Sequence, residues 1–242
     1  MVTTVTDFQL AFDPQEYIDL HGEQFARLMA APARRRQLDQ AIELVSAIAL
    51  PTACYDIFPI EKFLHDRIKL ANGRLIGGGP VVTVTGGAEA LIVAVCTVGQ
   101  AVDDKIREMQ AQKKLFETML FDELASAAVD QVRQQLYEQL LAHQQARGLR
   151  LSTLLSPGES TWSVHDQTTI FRLLDTSSIG VTLNSSRVMK PLKSLSMIMG
   201  TGSCQMGVEG LSNCDFCSIK DRCQYRRSGV GHGIQVTGPG PA

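Results

Sequence analysis

No hydrophobic run in the 242 residues is long enough to cross a bilayer. The most apolar stretch, Ala88 to Val98, is too short and too punctuated. Charge of one sign is equally lacking: 23 Lys and Arg face 25 Asp and Glu, a formal net charge of −2. That balance gives no reason to expect nucleic acid as a partner. The opening residues, Met1 to Asp7, have neither the basic nor the apolar region of a secretion signal. A cytoplasmic protein with no membrane partner is the expectation. Aromatic residues are sparse at 6%, with a single tryptophan, Trp162. Hydrophobic content of 44% describes an ordinary globular chain, long enough for a sizeable core. His65 and His165 lie far from any distinctive Ser or Cys motif, which disfavours an unrelated nucleophilic enzyme.

Cysteine is also scarce until the C-terminal region. Cys54 and Cys96 stand alone in apolar surroundings and read as packing residues. The other four, Cys204, Cys214, Cys217 and Cys223, form the pattern C-x9-C-x2-C-x5-C. Two sulfurs two residues apart can grip one metal centre from a tight turn, and the outer two can complete four-fold thiolate ligation. Zinc sites usually show two close ligand pairs, whereas the spacing here has one. The irregular spacing suits a [4Fe–4S] cluster better, with zinc as the alternative. Lys220, Arg222, Arg226 and Arg227 would offset the negative charge of either centre. Metal-free thiols or a disulfide pair are the blander readings.

Helical signals come first along the chain. Asp13-Pro14 reads as a cap and first helical position, and Glu16 as the closing member of a capping box. Gly22 interrupts this helix, and a second runs from Pro32 to Pro51 through Leu38, Ile42 and Val45. Glu61 to Leu70 reads as a short helix ended by Asn72-Gly73. Gly77-Gly78-Gly79-Pro80 reads as a turn, a weak match to a phosphate loop, followed by a β-branched strand over Val81 to Thr85. Leu91 to Thr97 is apolar enough for a central strand. A helix follows through Ile106 and Met109. A longer one runs from Phe116 to His143, with Leu120, Leu124, Ala128, Val132, Leu136 and Leu140 on one stripe. Ser163 reads as a helix cap with Asp166 at the third position, Ile179 to Leu183 as a strand, and Val188 to Gly200 as another carrying two hydroxyls on one face. Helices first, then strands mixed with helices, favour an α+β fold. The expected organisation is a helical segment over 1–75, an α+β domain over 76–200, a cysteine-rich metal segment over 201–228, and a flexible tail over 229–242.

Several stretches together resemble a known family. These are Ala94 to Gln100 with Thr97 and Gly99, Phe121 to Asp130, Ser156-Pro157-Gly158 before Trp162, Ile179 to Leu183, and Met189 to Ser196. In this order they resemble the activation (reactivation) domain of cobalamin-dependent methionine synthase. The end of the chain, Cys214-x2-Cys217-x5-Cys223-Gln-Tyr-Arg226, resembles the cysteine-rich end of the stand-alone form found in anaerobes. The resemblance covers roughly residues 80 to 226. The chain departs from the family at Glu159, where an aromatic is usual, and at Asn184-Ser185-Ser186, where Thr-Glu-Ser is usual.

The resemblance implies a twisted antiparallel sheet with flanking helices, S-adenosylmethionine as ligand, and a corrinoid presented by a partner. It implies that Ser156, Pro157 and Gly158 lie against S-adenosylmethionine with Ser194 and Ser196 nearby. Arg150 or Arg172 is the candidate partner for the ligand's carboxylate. The function implied is reductive reactivation of a corrinoid methyltransferase protein, fed by a low-potential donor such as flavodoxin or ferredoxin. A corrinoid-protein-binding module with a structural zinc site is the alternative.

Overall fold

The computed structural model describes residues 1–159, 161–207 and 221. The chain begins with β1 (Thr3–Val5) and an extended segment leading to α1 (Pro14–Leu20). Asp13 caps α1, accepting from the amides of Gln15 at 2.7 Å and Glu16 at 3.3 Å. Gly22, at φ +79°, separates α1 from α2 (Gly22–Met29). Pro32 opens α3 (Pro32–Ile48), which buries Leu38, Ala41 and Val45.

A long strand follows, β2 (Thr52–Phe63), then β3 (Ile68–Leu70) and β4 (Leu75–Ile76). After α4 (Val81–Thr85) comes β5 (Ala90–Thr97), then α5 (Gln100–Ala111) and α6 (Leu115–Ala146). Short β6 (Arg150–Leu151) leads to a loop, a 3-10 turn at Val164–Asp166, and α7 (Gln167–Leu173). A hairpin of β7 (Thr182–Leu183) and β8 (Met189–Lys190) precedes β9 (Ser194–Gly202).

Among the described residues the main sheet runs β4-β3-β2-β5-β9-β6, with β1 also on β2 and every pairing antiparallel. Strand β5 sits at its centre. Successive side chains of a strand point to opposite faces, and here both faces are apolar. Ile92, Ala94 and Cys96 join the core beneath α3, α5 and α6. Leu91, Val93 and Val95 join a second core with Trp162, Ile170 and Val181. The stripe from Leu120 to Leu140 on α6 is buried throughout. Full burial contributes roughly 1.5–3 kcal/mol for each large apolar side chain, so this helix is the principal slab on its face. Cys54 and Cys96 are fully buried, and burial pushes both thiols up to about 12. They are inert packing groups.

Four expectations from sequence are corrected. Residues 61–70 form the end of β2 and the start of a hairpin, not a helix. Ile68 and Leu70 are buried by alternation, and Asn72-Gly73 makes the tight turn, with the Gly73 amide 2.8 Å from the Leu70 carbonyl. Val81 to Thr85 is a helix, not a strand. Val81, Val84 and Thr85 bury one face at helical spacing, and that tertiary contact overrides β-branched propensity. Only Thr182–Leu183 of the Ile179–Leu183 stretch is strand, because a 3-10 turn ending at left-handed Gly180 takes up the rest. The Val188–Gly200 strand is broken into β8 and β9 at Pro191, which cannot donate to a ladder.

Candidate functional site

Three glutamines on α6, spaced four residues apart and hence on one face, strap the N-terminal segment down. Gln131 accepts from the Ala11 amide at 3.0 Å and donates to the Ala11 carbonyl at 2.7 Å. Gln135 does the same for Gln9, at 2.9 and 2.7 Å. Gln139 donates to the Asp7 carbonyl at 3.1 Å. The strap delivers α1 onto α6. There the Tyr17 hydroxyl donates to Glu123, and His21 Nε2 lies 3.1 Å from the same carboxylate. His21 Nδ1 lies 2.7 Å from the Tyr17 carbonyl, so both ring nitrogens face acceptors. The hydrogen bond to Glu123 raises the His21 pKa above its usual value, and the same bond lowers that of Glu123. Tyr17, His21 and Phe25 pack as an aromatic trio, with ring centroids 4.4 to 5.8 Å apart.

Between α1 and α6 this arrangement leaves a cleft of about 470 Å³. Phe12, Asp13, Glu16 and Tyr17 line one side; Leu124, Ala127, Asp130 and Arg133 line the other. Its size is that of a small-molecule site, and its mixture of apolar wall and few charged groups is typical of one. Arg133 is 9% exposed. It pairs with Asp130 through Nη2 and lies 3.6 Å from Glu159 through Nη1. Its Nε has no hydrogen-bond partner among the described residues. A buried guanidinium donor left over in a cleft wall is a ready contact for an anionic ligand group.

Glu159 ties the cleft to the Ser156–Trp162 loop. Leu155 bridges Ile198 of β9 with reciprocal amide bonds of 2.9 and 3.0 Å, which fixes the loop at the sheet edge. The Glu159 amide donates to the Ser156 carbonyl at 3.1 Å, and Trp162 donates back to Glu159 at 3.1 Å. Gly158, at φ +94°, supplies the backbone conformation this turn requires. Its amide is taken by the Trp162 carbonyl at 2.9 Å. Ser156 and Pro157 are buried, whereas Gly158 and Glu159 are exposed. Removal from water raises the Glu159 pKa, and Arg133 opposes the shift.

Trp162 is an anchor. It is 2% exposed, and its Nε1 donates to Asp166 at 2.8 Å. Asp166 also accepts from Arg67 Nη1 at 3.1 Å and from the Gly77 amide at 3.0 Å. The expected capping role at Asp166 is therefore replaced by a cross-link between two loops. The Gly77–Gly79 turn packs tightly here: a Cβ on Gly79 would lie 2.8 Å from the Trp162 amide. Gly77 and Gly79 serve close packing, and Gly78 supplies a backbone conformation at φ +120°.

Ser194 and Ser196 share one face of β9, as their spacing implies, and both are buried. Ser194 Oγ lies 2.9 Å from Thr97 Oγ1 and 2.8 Å from the Pro191 carbonyl. Ser196 Oγ lies 3.1 Å from Gln167 Oε1 on α7. Their hydroxyls are engaged within the protein. Arg150 and Arg172 are both exposed. Neither lines the cleft, and Arg133 does.

Cys204 is exposed on the turn leaving β9. Just beyond it, the Gly207 amide donates to the Gly86 carbonyl at 2.9 Å, which pins this stretch beside the α4–β5 turn. Cys214, Cys217 and Cys223 lie outside the described residues. Among the described residues no group of three or more His, Cys, Asp or Glu side chains is placed to hold a metal ion. Nor, among them, is any helix long and apolar enough to cross a membrane.

Sequence reasoning missed the cleft. Its signals were present but faint: glutamines at 131, 135 and 139, and Asp130 at the end of a small-residue run. Arg133 belongs to no motif.

No family model and no curated protein matches the chain. A solved structure does: the MetH reactivation domain, crystallised bound to AdoHcy. It matches with a TM-score of 0.59 and 16% sequence identity, over 95% of this chain and 86% of that one. The α+β fold described above, an antiparallel sheet flanked by helices, is the fold of that domain.

Proposed function

We propose that this protein binds S-adenosylmethionine in the α1–α6 cleft and presents it to a corrinoid held by a partner protein, as a reductive reactivator. The observation that carries this reading is the cleft itself. It pairs an arginine donor that has no partner among the described residues with carboxylates and two aromatic rings, on the fold of a domain crystallised with AdoHcy. Arg133 suits the ligand's carboxylate, Asp130 and Glu16 suit its ammonium and sulfonium, and Phe12 and Tyr17 offer faces for the adenine ring. Ser156, Pro157 and Gly158 shape the loop that carries Glu159 to Arg133. Ser194 and Ser196 act at a remove: Ser196 fixes Gln167 of α7, and Ser194 fixes the turn at Pro191 and Thr97.

The chemistry balances simply. A low-potential donor protein such as flavodoxin or ferredoxin passes one electron to Co(II), giving Co(I). Co(I) attacks the sulfonium methyl with its electron pair; the carbon–sulfur bond breaks onto sulfur, leaving AdoHcy and methyl-Co(III). The chain contributes position: the methyl group held towards the partner and water kept from the reacting atoms.

Cys204, Cys214, Cys217 and Cys223 form a donor set that fits a [4Fe–4S] cluster, with zinc as the second candidate. A cluster there would supply an electron at low potential; zinc would supply a structural clasp. Anaerobic metal analysis with an absorbance spectrum separates them, and Cys217→Ser bleaches only the iron protein.

The activity is tested anaerobically with a Co(II) corrinoid protein, a reductant and S-adenosylmethionine. Growth of the methyl-Co(III) spectrum supports the reading. Its absence, while the partner demonstrably docks, refutes reactivation and leaves the corrinoid-protein-binding module with a zinc clasp.

A further inference from the structure

The cleft is unevenly charged. Asp13, Glu16 and Asp130 are on its lining, against the single guanidinium of Arg133. Three carboxylates and one cation leave a formal charge of −2 on the wall. Arg133 is, in addition, shared between Asp130 and Glu159, so much of its charge is already answered. Phe12 and Tyr17 add aromatic faces, which attract cations. A wall of net negative charge in a concave surface focuses the field on whatever enters.

We infer that the cleft selects by charge at the sulfur atom, holding a sulfonium donor and releasing the neutral thioether that remains after methyl transfer. This rests on the reading of the cleft as an S-adenosylmethionine site and deepens it. The donor and its product share the adenosine and the amino-acid ends, so ring packing and contacts to Arg133 favour both alike. They differ by one methyl group and one positive charge, and specificity is that difference. When the carbon–sulfur bond breaks, its electron pair stays on sulfur and the charge there falls from +1 to zero. The attraction of Asp130 and Glu16 for the sulfur disappears in the step that makes the product, which weakens the hold of the cleft on it. Glu159, one of the departures from the resembled family, adds a further negative charge 3.6 Å from Arg133.

The test is calorimetric titration of the intact protein with three ligands: S-adenosylmethionine, AdoHcy, and an analogue carrying a protonated amine in place of the sulfonium. The two cationic ligands are expected to bind about tenfold more tightly than AdoHcy, a difference of about 1.4 kcal/mol. Glu16→Gln and Glu159→Gln, both at exposed carboxylates that do not threaten folding, are each expected to shrink that ratio towards one. AdoHcy, which keeps the ammonium, is expected to lose less affinity than the two cationic ligands in these variants. AdoHcy binding as tightly as the cationic ligands, or ratios unchanged in both variants, overturns the inference while leaving the site reading intact. Binding of none of the three overturns the site reading, and this inference with it.

Discussion

Two carboxylate clusters in this molecule look alike on paper and do opposite work. Around Asp166, three donors from three separate segments converge on one buried side chain: Arg67, the Gly77 amide and Trp162 Nε1. Among the described residues no buried atom of the Asp166 carboxylate is without a partner, so this cluster serves the fold. Around Asp130, Arg133 and Glu159 the balance is incomplete. A guanidinium nitrogen has no partner among the described residues, Glu159 is exposed, and a cleft lies alongside. Polar groups consumed within the protein hold structure; polar groups left partly unanswered beside a cavity are available to a ligand.

The sharpest way to break this contrast is Asp166→Ala. It strands Arg67, the indole N–H and the Gly77 amide together, and is expected to lower stability by about 3 kcal/mol in urea denaturation. A loss below about 1 kcal/mol would mean the cluster is not the staple described. Arg133→Met reverses the pattern. Stability should change by less than about 1 kcal/mol, while S-adenosylmethionine affinity in calorimetry falls about 10- to 100-fold, as expected for one charged hydrogen-bond contact. Wild-type affinity in that variant would remove Arg133 from the site.

The glutamine strap is a smaller effect. Gln135→Ala is expected to cost about 1 kcal/mol and to speed hydrogen exchange at the Gln9 amide specifically. Unchanged exchange there would sever the link between strap and cleft. The weakest is the Tyr17–His21–Glu123 clamp, which is partly solvent-screened. The His21 pKa is raised in the folded state. Its contribution is whole below about pH 6.5 and fades as pH rises through the folded value. The Glu123 pKa is lowered, so its contribution is present above about pH 4.3 and is lost as pH falls through the folded value. Stability from the clamp is therefore greatest between about pH 4.3 and about pH 6.5 and fades outside that window. Glu123→Gln should flatten the profile, and urea midpoints measured against pH in both proteins check it.

Long periodic elements were legible in the sequence; local exceptions were not. The leucine stripe of α6 and the apolar run of β5 carry their period over enough residues to leave one reading. Residues 61–70 and 81–85 are short and their apolar positions fit two periods, so tertiary burial decided them. The Ser156–Gly158 loop was visible as a turn, yet its partner Arg133 was not, because it reaches Glu159 across 26 residues with no spacing rule to announce it. Asp13 was legible as a cap, and its second position, in the wall of the cleft, depends on the glutamine strap bringing α1 to α6. Ser194 and Ser196 were correctly placed on one face, but a face pattern cannot say that Thr97, Pro191 and Gln167 already occupy the hydroxyls.

The most direct measurement of the central claim is a crystal structure of the protein grown with S-adenosylmethionine. The account predicts ligand density between α1 and α6, with the ligand carboxylate against Arg133 and the sulfonium beside Asp130 or Glu16. Density on the other side of the sheet, against Ser194 and Ser196, or an empty cleft at saturating ligand, would contradict it.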